Sequence, residues 1–122
     1  ELVHRQNAAD RYAALLEGVV GTPTLEAGVT SSWAQYVIQL PQGSNRDAIC
    51  KALGTAGVPT AIYYPVPMHR QPPYAHYPVS SCDLPVTMDL CDHVLALPMH
   101  PYLETAQQAH IASSLKGALA IA

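Results

Sequence analysis

The sequence predicts an α+β fold of two to three mainly antiparallel strands with helices packed on one face of the sheet. Apolar residues recur with helical spacing in four stretches, and side chains alternate with a period of two in two others. The chain has 122 residues, enough for one ordinary domain and too few for two. We therefore expect residues 1–122 to form a single small domain.

The first helix and the first strand follow each other near the start of the chain. Four apolar residues at i, i+3, i+4 and i+7 predict a helix that ends near Gly18: Ala9, Tyr12, Ala13 and Leu16. Residues 32–40 then alternate, which predicts a strand with one buried face. One face of this strand carries Ala34, Tyr36, Ile38 and Leu40. The other face carries Trp33, Gln35, Val37 and Gln39.

A second helix and a second strand are predicted next. Ser44 followed by Asp47 resembles a capping box, and Gly57 is placed to end the helix. Its apolar stripe is Ile49, Ala52, Leu53 and Ala56. Residues 58–64 alternate as a long strand, with Pro59 at its start or on an edge because proline lacks an amide hydrogen. The connection allows either strand direction, and we favour an antiparallel pair; a short strand at residues 24–26 is also considered.

Two helices are predicted in the last third of the chain. Pro85 fits a first helical turn, and a short buried stripe follows it: Thr87, Leu90, Cys91 and Val94. Thr105 and Gln108 have the spacing of a capping box. The stripe of the terminal helix is Ile111, Leu115, Ala118, Leu119 and Ala122.

Composition excludes several classes of function. Only 12% of residues are charged, the net charge is −3 and no cluster of Lys and Arg is present, which argues against a nucleic-acid partner. No apolar run is long enough for a membrane helix and no signal peptide is visible, so we expect a cytoplasmic protein. Three cysteines are expected to be reduced. The spacing of Cys82, Cys91, His93 and His100 matches no familiar zinc site, so we expect no metal.

The segment "AIYYPVPMHRQPPYAHYP", residues 61–78, is the candidate binding surface. Its prolines fix backbone φ angles, so side chains on it lose little entropy on binding. Tyr63 and Tyr64 offer aromatic faces, Arg70 offers a forked donor for phosphate or carboxylate, and His69 offers an imidazole. A purely structural crossover, in which these aromatic rings only pack, explains the same composition. The residues alone predict no reaction, because they contain no familiar catalytic motif.

The order of several motifs resembles one known family. "RQNAADRY", "SSWAQYVIQL", "RDAICKALGTAGVPT", "YYPVPMHRQPPY", "DLPVT" and "LALPMHPYL" follow one another over nearly the whole chain. This series resembles the C-terminal domain of the sugar aminotransferases of the DegT/DnrJ/StrS type, which depend on pyridoxal phosphate (PLP). Within that family the chain looks most like transaminases that act on UDP-linked 3-oxo sugars, including uronic acids of bacterial surface polysaccharides.

The resemblance implies a small domain of a type I aminotransferase that covers the active site of a homodimer. It places Tyr63, Tyr64 and Pro65 at the positions of a segment that reaches toward the nucleotide sugar. His69 matches a histidine that often follows this segment, and Arg70 is a further candidate contact. Tyr63 stands where the family usually has histidine, so a specific imidazole hydrogen bond is not expected there.

The residues that hold PLP in the family have no counterpart in this sequence. Lys51 and Lys116 are its only lysines, and neither lies in a segment like the one that forms the Schiff base. We therefore expect no catalytic residue and no cofactor site in this chain, and no activity from it alone; PLP would be bound by the complete enzyme. The chain also begins with Glu1 rather than Met, which favours a fragment. The alternative is a stand-alone, non-catalytic binding module derived from the same domain, and an unrelated cofactor-free enzyme has no sequence support.

Overall fold

The computed structural model describes residues 1–80 and 83–121. Four helices and two strands follow one another in the order α1, β1, α2, α3, β2, α4. Their bounds are α1 Leu2–Leu16, β1 Tyr36–Gln39, α2 Arg46–Thr55, α3 Pro85–His93, β2 Val94–Leu97 and α4 Thr105–Ile121. The predicted α+β class is confirmed.

The sheet consists of β1 and β2 in antiparallel pairing, with Tyr36 opposite Leu97 and Gln39 opposite Val94. Isolated bridges lie on both sides of this pair. Gly21 pairs with Gln39, and Ala61 pairs with Ala96. The predicted antiparallel direction is therefore confirmed, although the strand that pairs with β1 is a different one from the strand expected.

Strand β2 replaces the end of a predicted helical stripe. All four of its residues are buried, as expected for a strand covered on both faces, where alternation disappears. Helix α3 ends at His93 and buries none of its residues. The predicted stripe is therefore wrong, since Thr87 is exposed and Leu90 and Cys91 are only half-buried.

Residues 58–64 do not form the second strand that their alternation predicted. Only Ala61 pairs with β2, through N–O distances of 3.3 and 2.8 Å to Ala96. The amide of Val58 is used by the carbonyl of Leu53 at the end of α2, at 2.9 Å, and Pro59 has no amide to donate. Residues 24–26 are not a strand either; the pairing on that side of the sheet occurs at Gly21.

The predicted strand at residues 32–40 is shortened by Trp33. Its φ of 47° lies in the left-handed region, so the alternation of faces is interrupted there. Trp33 is buried and Ala34 is exposed, whereas Tyr36, Ile38 and Leu40 on the face of Ala34 are buried, so the predicted alternation does not extend to this end of the segment. The amide of Trp33 donates to Ser31 Oγ at 3.0 Å, and its indole Nε1 donates to Gln6 Oε1 at 2.8 Å. These bonds hold the residue in a turn that precedes the strand.

Both predicted capping boxes are displaced by one residue. Asn45, rather than Ser44, caps α2, with its Oδ1 accepting from the amide of Ala48 at 3.0 Å. At α4 the amide of Glu104 donates to Gln107 Oε1 at 2.9 Å. Each helix has neighbouring residues that are able to cap it, so the motif predicts a helix start to within a residue.

Helices α1, α2 and α4 bury most of the stripes that periodicity predicted. The core includes Ala9, Tyr12 and Leu16 from α1, Ile49 and Leu53 from α2, and Ile111, Leu115 and Ala118 from α4. Ala56 is exposed, because α2 ends at Thr55 and Gly57 takes a positive φ of 77°. Ala122 and Cys82 lie outside the described residues.

Tyr12 and Tyr36 form an aromatic pair in this core, with ring centroids 4.9 Å apart. The Tyr12 hydroxyl donates to the carbonyl of Pro98 at 2.9 Å. The Tyr36 hydroxyl is buried and has no partner among the described residues. Burial, followed by the nearby Asp10 carboxylate, raises the pKa of Tyr36 to about 12. The two hydroxyls therefore differ in one respect, their hydrogen bonding.

We expect Tyr12→Phe to lower the free energy of unfolding by about 1 kcal/mol, because it removes a buried hydrogen bond. Tyr36→Phe removes a hydroxyl that is desolvated without compensation, and is expected to leave the free energy unchanged or to raise it by up to about 1 kcal/mol. Urea unfolding of the chain, followed by the fluorescence of Trp33, measures both. An equal loss in the two variants would contradict the assignment.

Candidate functional site

The proline-rich segment, residues 61–78, leaves the sheet immediately after the bridge between Ala61 and Ala96. Ile62 packs against the core. The next two side chains turn outward, with Tyr63 39% exposed and Tyr64 64% exposed. The sheet therefore fixes where the aromatic pair begins, since the residue ahead of it packs inward and the bridge holds the backbone.

Short turns order the proline-rich segment. Two single-turn 3₁₀ helices span Met68–Arg70 and Pro72–Tyr74. The amide of Arg70 donates to Pro67 O at 2.9 Å, and the amide of Tyr74 donates to Gln71 O, also at 2.9 Å. Among the described residues, the hydrogen bonds of residues 63–78 all stay within the segment. The segment thus builds its own shape, and most of its side chains from Tyr63 to Pro78 are exposed.

The structure brings three of the predicted site residues together at the start of the segment. Tyr63, Tyr64 and Pro65 are all exposed, and the two tyrosine rings are tilted with centroids 5.5 Å apart. Arg70 is exposed, and its side chain makes no hydrogen bond or ion pair with the described residues. Its guanidinium is therefore free to bind an anion.

His69 is placed differently from the other four predicted residues. It is half-buried, and its Nε2 is buried without a partner among the described residues. A ligand therefore cannot reach Nε2 in this arrangement of the segment. The imidazole is positioned inside the turn rather than displayed on it.

The second half of the segment carries an aromatic cluster to which the sequence analysis assigned no role. His76 and Tyr77 lie with ring centroids 4.4 Å apart, and Tyr74 lies 6.4 Å from Tyr77. Tyr74 and Tyr77 are 44% and 59% exposed. Aromatic residues separated by prolines and small residues were the only sequence signal for this cluster.

A cleft of about 270 Å³ lies beside the first half of the segment, and Tyr63 forms part of its wall. Gln35, Thr60 and Met99 also line it, whereas Tyr64 does not. None of its lining residues is charged at neutral pH. Sequence reasoning did not single out Gln35 and Thr60, because they come from separate parts of the chain; the period-two pattern indicated only that Gln35 shares a face with Trp33 and Gln39.

The described residues do not fit the PLP site that the sequence resemblance implies for the complete enzyme. Lys51 lies exposed on α2 and Lys116 lies exposed on α4, and neither lines the cleft beside Tyr63. A Schiff-base lysine must project into an enclosed site where it meets the cofactor aldehyde. In this structure neither amine does so.

Metal sites and membrane-spanning helices are two further features that would bear on function. Within residues 1–80 and 83–121, no group of three or more His, Cys, Asp or Glu side chains could hold a metal ion; Cys82 of the spacing considered above lies outside these ranges. Cys50 and Cys91 are free thiols and half-buried. In the part of the chain that the structure describes, none of the helices is both long and apolar enough to cross a membrane.

Comparisons with known proteins agree on one family. The profile of the DegT/DnrJ/EryC1/StrS aminotransferase family matches residues 1–116. The UDP-2-acetamido-2-deoxy-3-oxo-D-glucuronate aminotransferase of Pseudomonas aeruginosa is 39% identical over 116 residues, which cover 94% of this chain and 31% of that protein. The UDP-N-acetyl-3-dehydro-alpha-D-glucosamine 3-aminotransferase of Acidithiobacillus ferrooxidans is 40% identical, again over 94% of this chain, and 30% of that protein is covered.

A solved structure shows the same fold. The crystal structure of a DegT DnrJ EryC1 StrS aminotransferase from Brucella abortus superposes with a TM-score of 0.89 and 43% sequence identity. The match covers 96% of this chain and 31% of that one. The chain therefore spans about a third of the length of the relatives it matches.

Proposed function

Since this chain belongs to the DegT/DnrJ/EryC1/StrS aminotransferase family, we propose that it is the small C-terminal, substrate-covering domain of a PLP-dependent aminotransferase. The substrate would be a nucleotide-linked keto sugar, converted to an amino sugar for surface polysaccharide. The two relatives described above support a UDP-linked 3-oxo sugar, because their names specify such substrates. Glutamate is the amino donor usual in the family.

One observation carries the proposal: Tyr63 and Tyr64 are displayed on a turn-ordered segment that leaves the sheet. Flat aromatic faces stack on nucleobases, and stacking contributes about 1–3 kcal/mol per base. The free Arg70 guanidinium supplies the forked donor that a diphosphate requires. His69 lies between these groups in the sequence and is half-buried.

The remaining two thirds of such an enzyme would supply the chemistry. PLP carries the electron-withdrawing ring that transamination requires, and the exposed lysines of this chain are not placed to bind it. We infer that residues 1–122 do not catalyse transamination by themselves. A cytoplasmic homodimer, in which the segment faces a nucleotide sugar, completes the proposal.

Tyr64→Ala in the complete gene product is expected to raise KM for the nucleotide sugar about tenfold, which corresponds to about 1.4 kcal/mol of lost stacking. The absorbance of bound PLP is expected to stay unchanged, because Tyr64 lies on the substrate side only. Steady-state kinetics with the two UDP-linked 3-oxo sugars and glutamate measure KM. Tyr102→Ala is the matched control, since Tyr102 is 70% exposed but precedes α4.

An unchanged KM in Tyr64→Ala would remove the segment from the substrate site. A complete gene product that contains no Schiff-base lysine and binds no PLP would instead exclude transamination. In that case the stand-alone binding module would be the correct interpretation.

A further inference from the structure

The cleft beside Tyr63 is uncharged, which distinguishes it from the rest of the proposed substrate surface. Its lining includes Gln35, which precedes β1, and Met99, which follows β2. Thr60, just before the proline-rich segment, and Tyr63, within it, also line the cleft. A phosphate or carboxylate placed there would lose its hydration without meeting a cation, which is unfavourable. Arg70, the arginine of the proline-rich segment, does not line the cleft.

Two side chains of the cleft have unused hydrogen-bonding groups. Gln35 is exposed and Thr60 is half-buried, and neither side chain makes a hydrogen bond with the described residues. The amide of Gln35 offers donors and an acceptor, and the hydroxyl of Thr60 offers one donor and two acceptor positions. Tyr63 and Met99 add apolar surface opposite these groups. The cleft therefore combines an aromatic wall with neutral polar groups of both kinds.

The chemistry of the cleft favours one part of a nucleotide sugar. Its volume of about 270 Å³ is close to the lower end of the roughly 300–1,000 Å³ of ligand pockets. A pyranose ring with an acylamino substituent has hydroxyl and amide groups on its edge and C–H groups on its faces. Those features match the polar and apolar walls of the cleft. The diphosphate does not match them, because the cleft contains no cation.

Resting on the function proposed above, we propose that this cleft binds the sugar ring of a nucleotide sugar whose ring carries no carboxylate, with Gln35 and Thr60 as specificity-determining residues. Gln35 and Thr60 hydrogen-bond the ring substituents, and Tyr63 covers an apolar face of the ring. Tyr64, which does not line the cleft, then contacts another part of the ligand. The two adjacent tyrosines thus have different roles.

The test compares UDP with UDP-N-acetylglucosamine as probes, because the two differ only in the sugar. Their dissociation constants are measured by calorimetry on the complete gene product, unmodified and as Gln35→Ala, Thr60→Val and Gln42→Ala. Gln42 is the matched control, since it is exposed and lines a different cavity. We expect Gln35→Ala and Thr60→Val each to weaken binding of UDP-N-acetylglucosamine about three- to tenfold and to leave UDP binding unchanged.

Each other outcome overturns the proposal in a recognisable way. If the sugar probe binds more tightly than UDP and both variants leave that difference intact, the ring lies elsewhere while the proposed function stands. If the variants weaken UDP equally, the nucleotide lies in the cleft. If the unmodified protein binds neither probe, the proposed function fails together with this inference. Circular dichroism spectra of the variants show whether the fold is intact in each case.

Discussion

Replacing Leu95 with alanine is expected to lower the free energy of unfolding of the chain by about 3 kcal/mol. Leu95 is 0% exposed and lies in β2 opposite Ile38 of β1. Both strands face the core at this pair, so the three lost carbon atoms leave a cavity that neighbouring strands cannot close. The expected loss is a large part of the roughly 5–15 kcal/mol that stabilises an ordinary domain.

Urea unfolding monitored by circular dichroism measures this loss, and Leu90→Ala is its matched control. Leu90 lies five residues earlier in α3 and is half-buried. We expect Leu90→Ala to cost less than about 1.5 kcal/mol, because little of its surface is removed from water on folding. Similar losses in the two variants would contradict the placement of β2 in the core and would restore the helical interpretation of this region.

The helices were predictable because their signal extends over several turns. In α1, the predicted Ala9, Tyr12 and Leu16 are buried, whereas the predicted Ala13 is half-buried and Ala8 is buried in addition. In α4, the predicted Ile111, Leu115 and Ala118 are buried, whereas the predicted Leu119 is half-buried. The spacing of a helical stripe is set by the local geometry of the helix, so it can be recognised in the sequence without knowing which strands pair.

The strands were predicted less well because tertiary pairing decides them. Residues 94–97 are four consecutive apolar residues, which periodicity cannot distinguish from the end of a buried helix. Residues 58–64 alternate as a strand does, yet they form a single bridge, at Ala61. Pro59 has no amide hydrogen, and the amide of Val58 already donates to the carbonyl of Leu53. The left-handed φ of Trp33 leaves no trace in the alternation pattern either.

The candidate site was likewise predictable from the sequence only in part. The outward aromatic pair, Tyr63 and Tyr64, could be anticipated from the prolines that follow it, because stiff local backbone displays its side chains. The cleft could not, since Gln35 and Met99 lie 64 positions apart in the chain. Only the pairing of β1 with β2 brings the residues before one strand next to the residues after the other.

Gln108 is the clearest case of a residue whose structural role in the fold differs from the one that the sequence suggested. The sequence suggested a capping residue, but Gln108 is 0% exposed. Its Oε1 accepts from Arg11 Nε at 2.5 Å, and its Nε2 donates to Ala8 O at 2.8 Å. Arg11 also donates to Leu103 O at 2.9 Å. The amide thus joins α1 to α4 and supplies the acceptor for the Nε of Arg11.

Gln108→Leu is therefore expected to lower the free energy of unfolding by about 3 kcal/mol, although leucine is the more apolar side chain. The loss arises because the half-buried Arg11 keeps its charge and loses one of its acceptors. Urea unfolding of the chain measures it. Gln107→Leu is the matched control, since the exposed Gln107 makes one capping bond to Glu104, worth about 1 kcal/mol or less.

A second substitution separates loss of packing from loss of pairing. In the double variant Arg11→Met with Gln108→Leu, no charge remains to be satisfied, so we expect it to recover at least about 1 kcal/mol relative to Gln108→Leu alone. Strictly additive losses in the two single variants would show that the two side chains do not act as a unit. Recovery in the double variant would establish that Arg11 and Gln108 form a polar pair between α1 and α4. It would also show that losing one partner lowers the free energy of unfolding more than losing both.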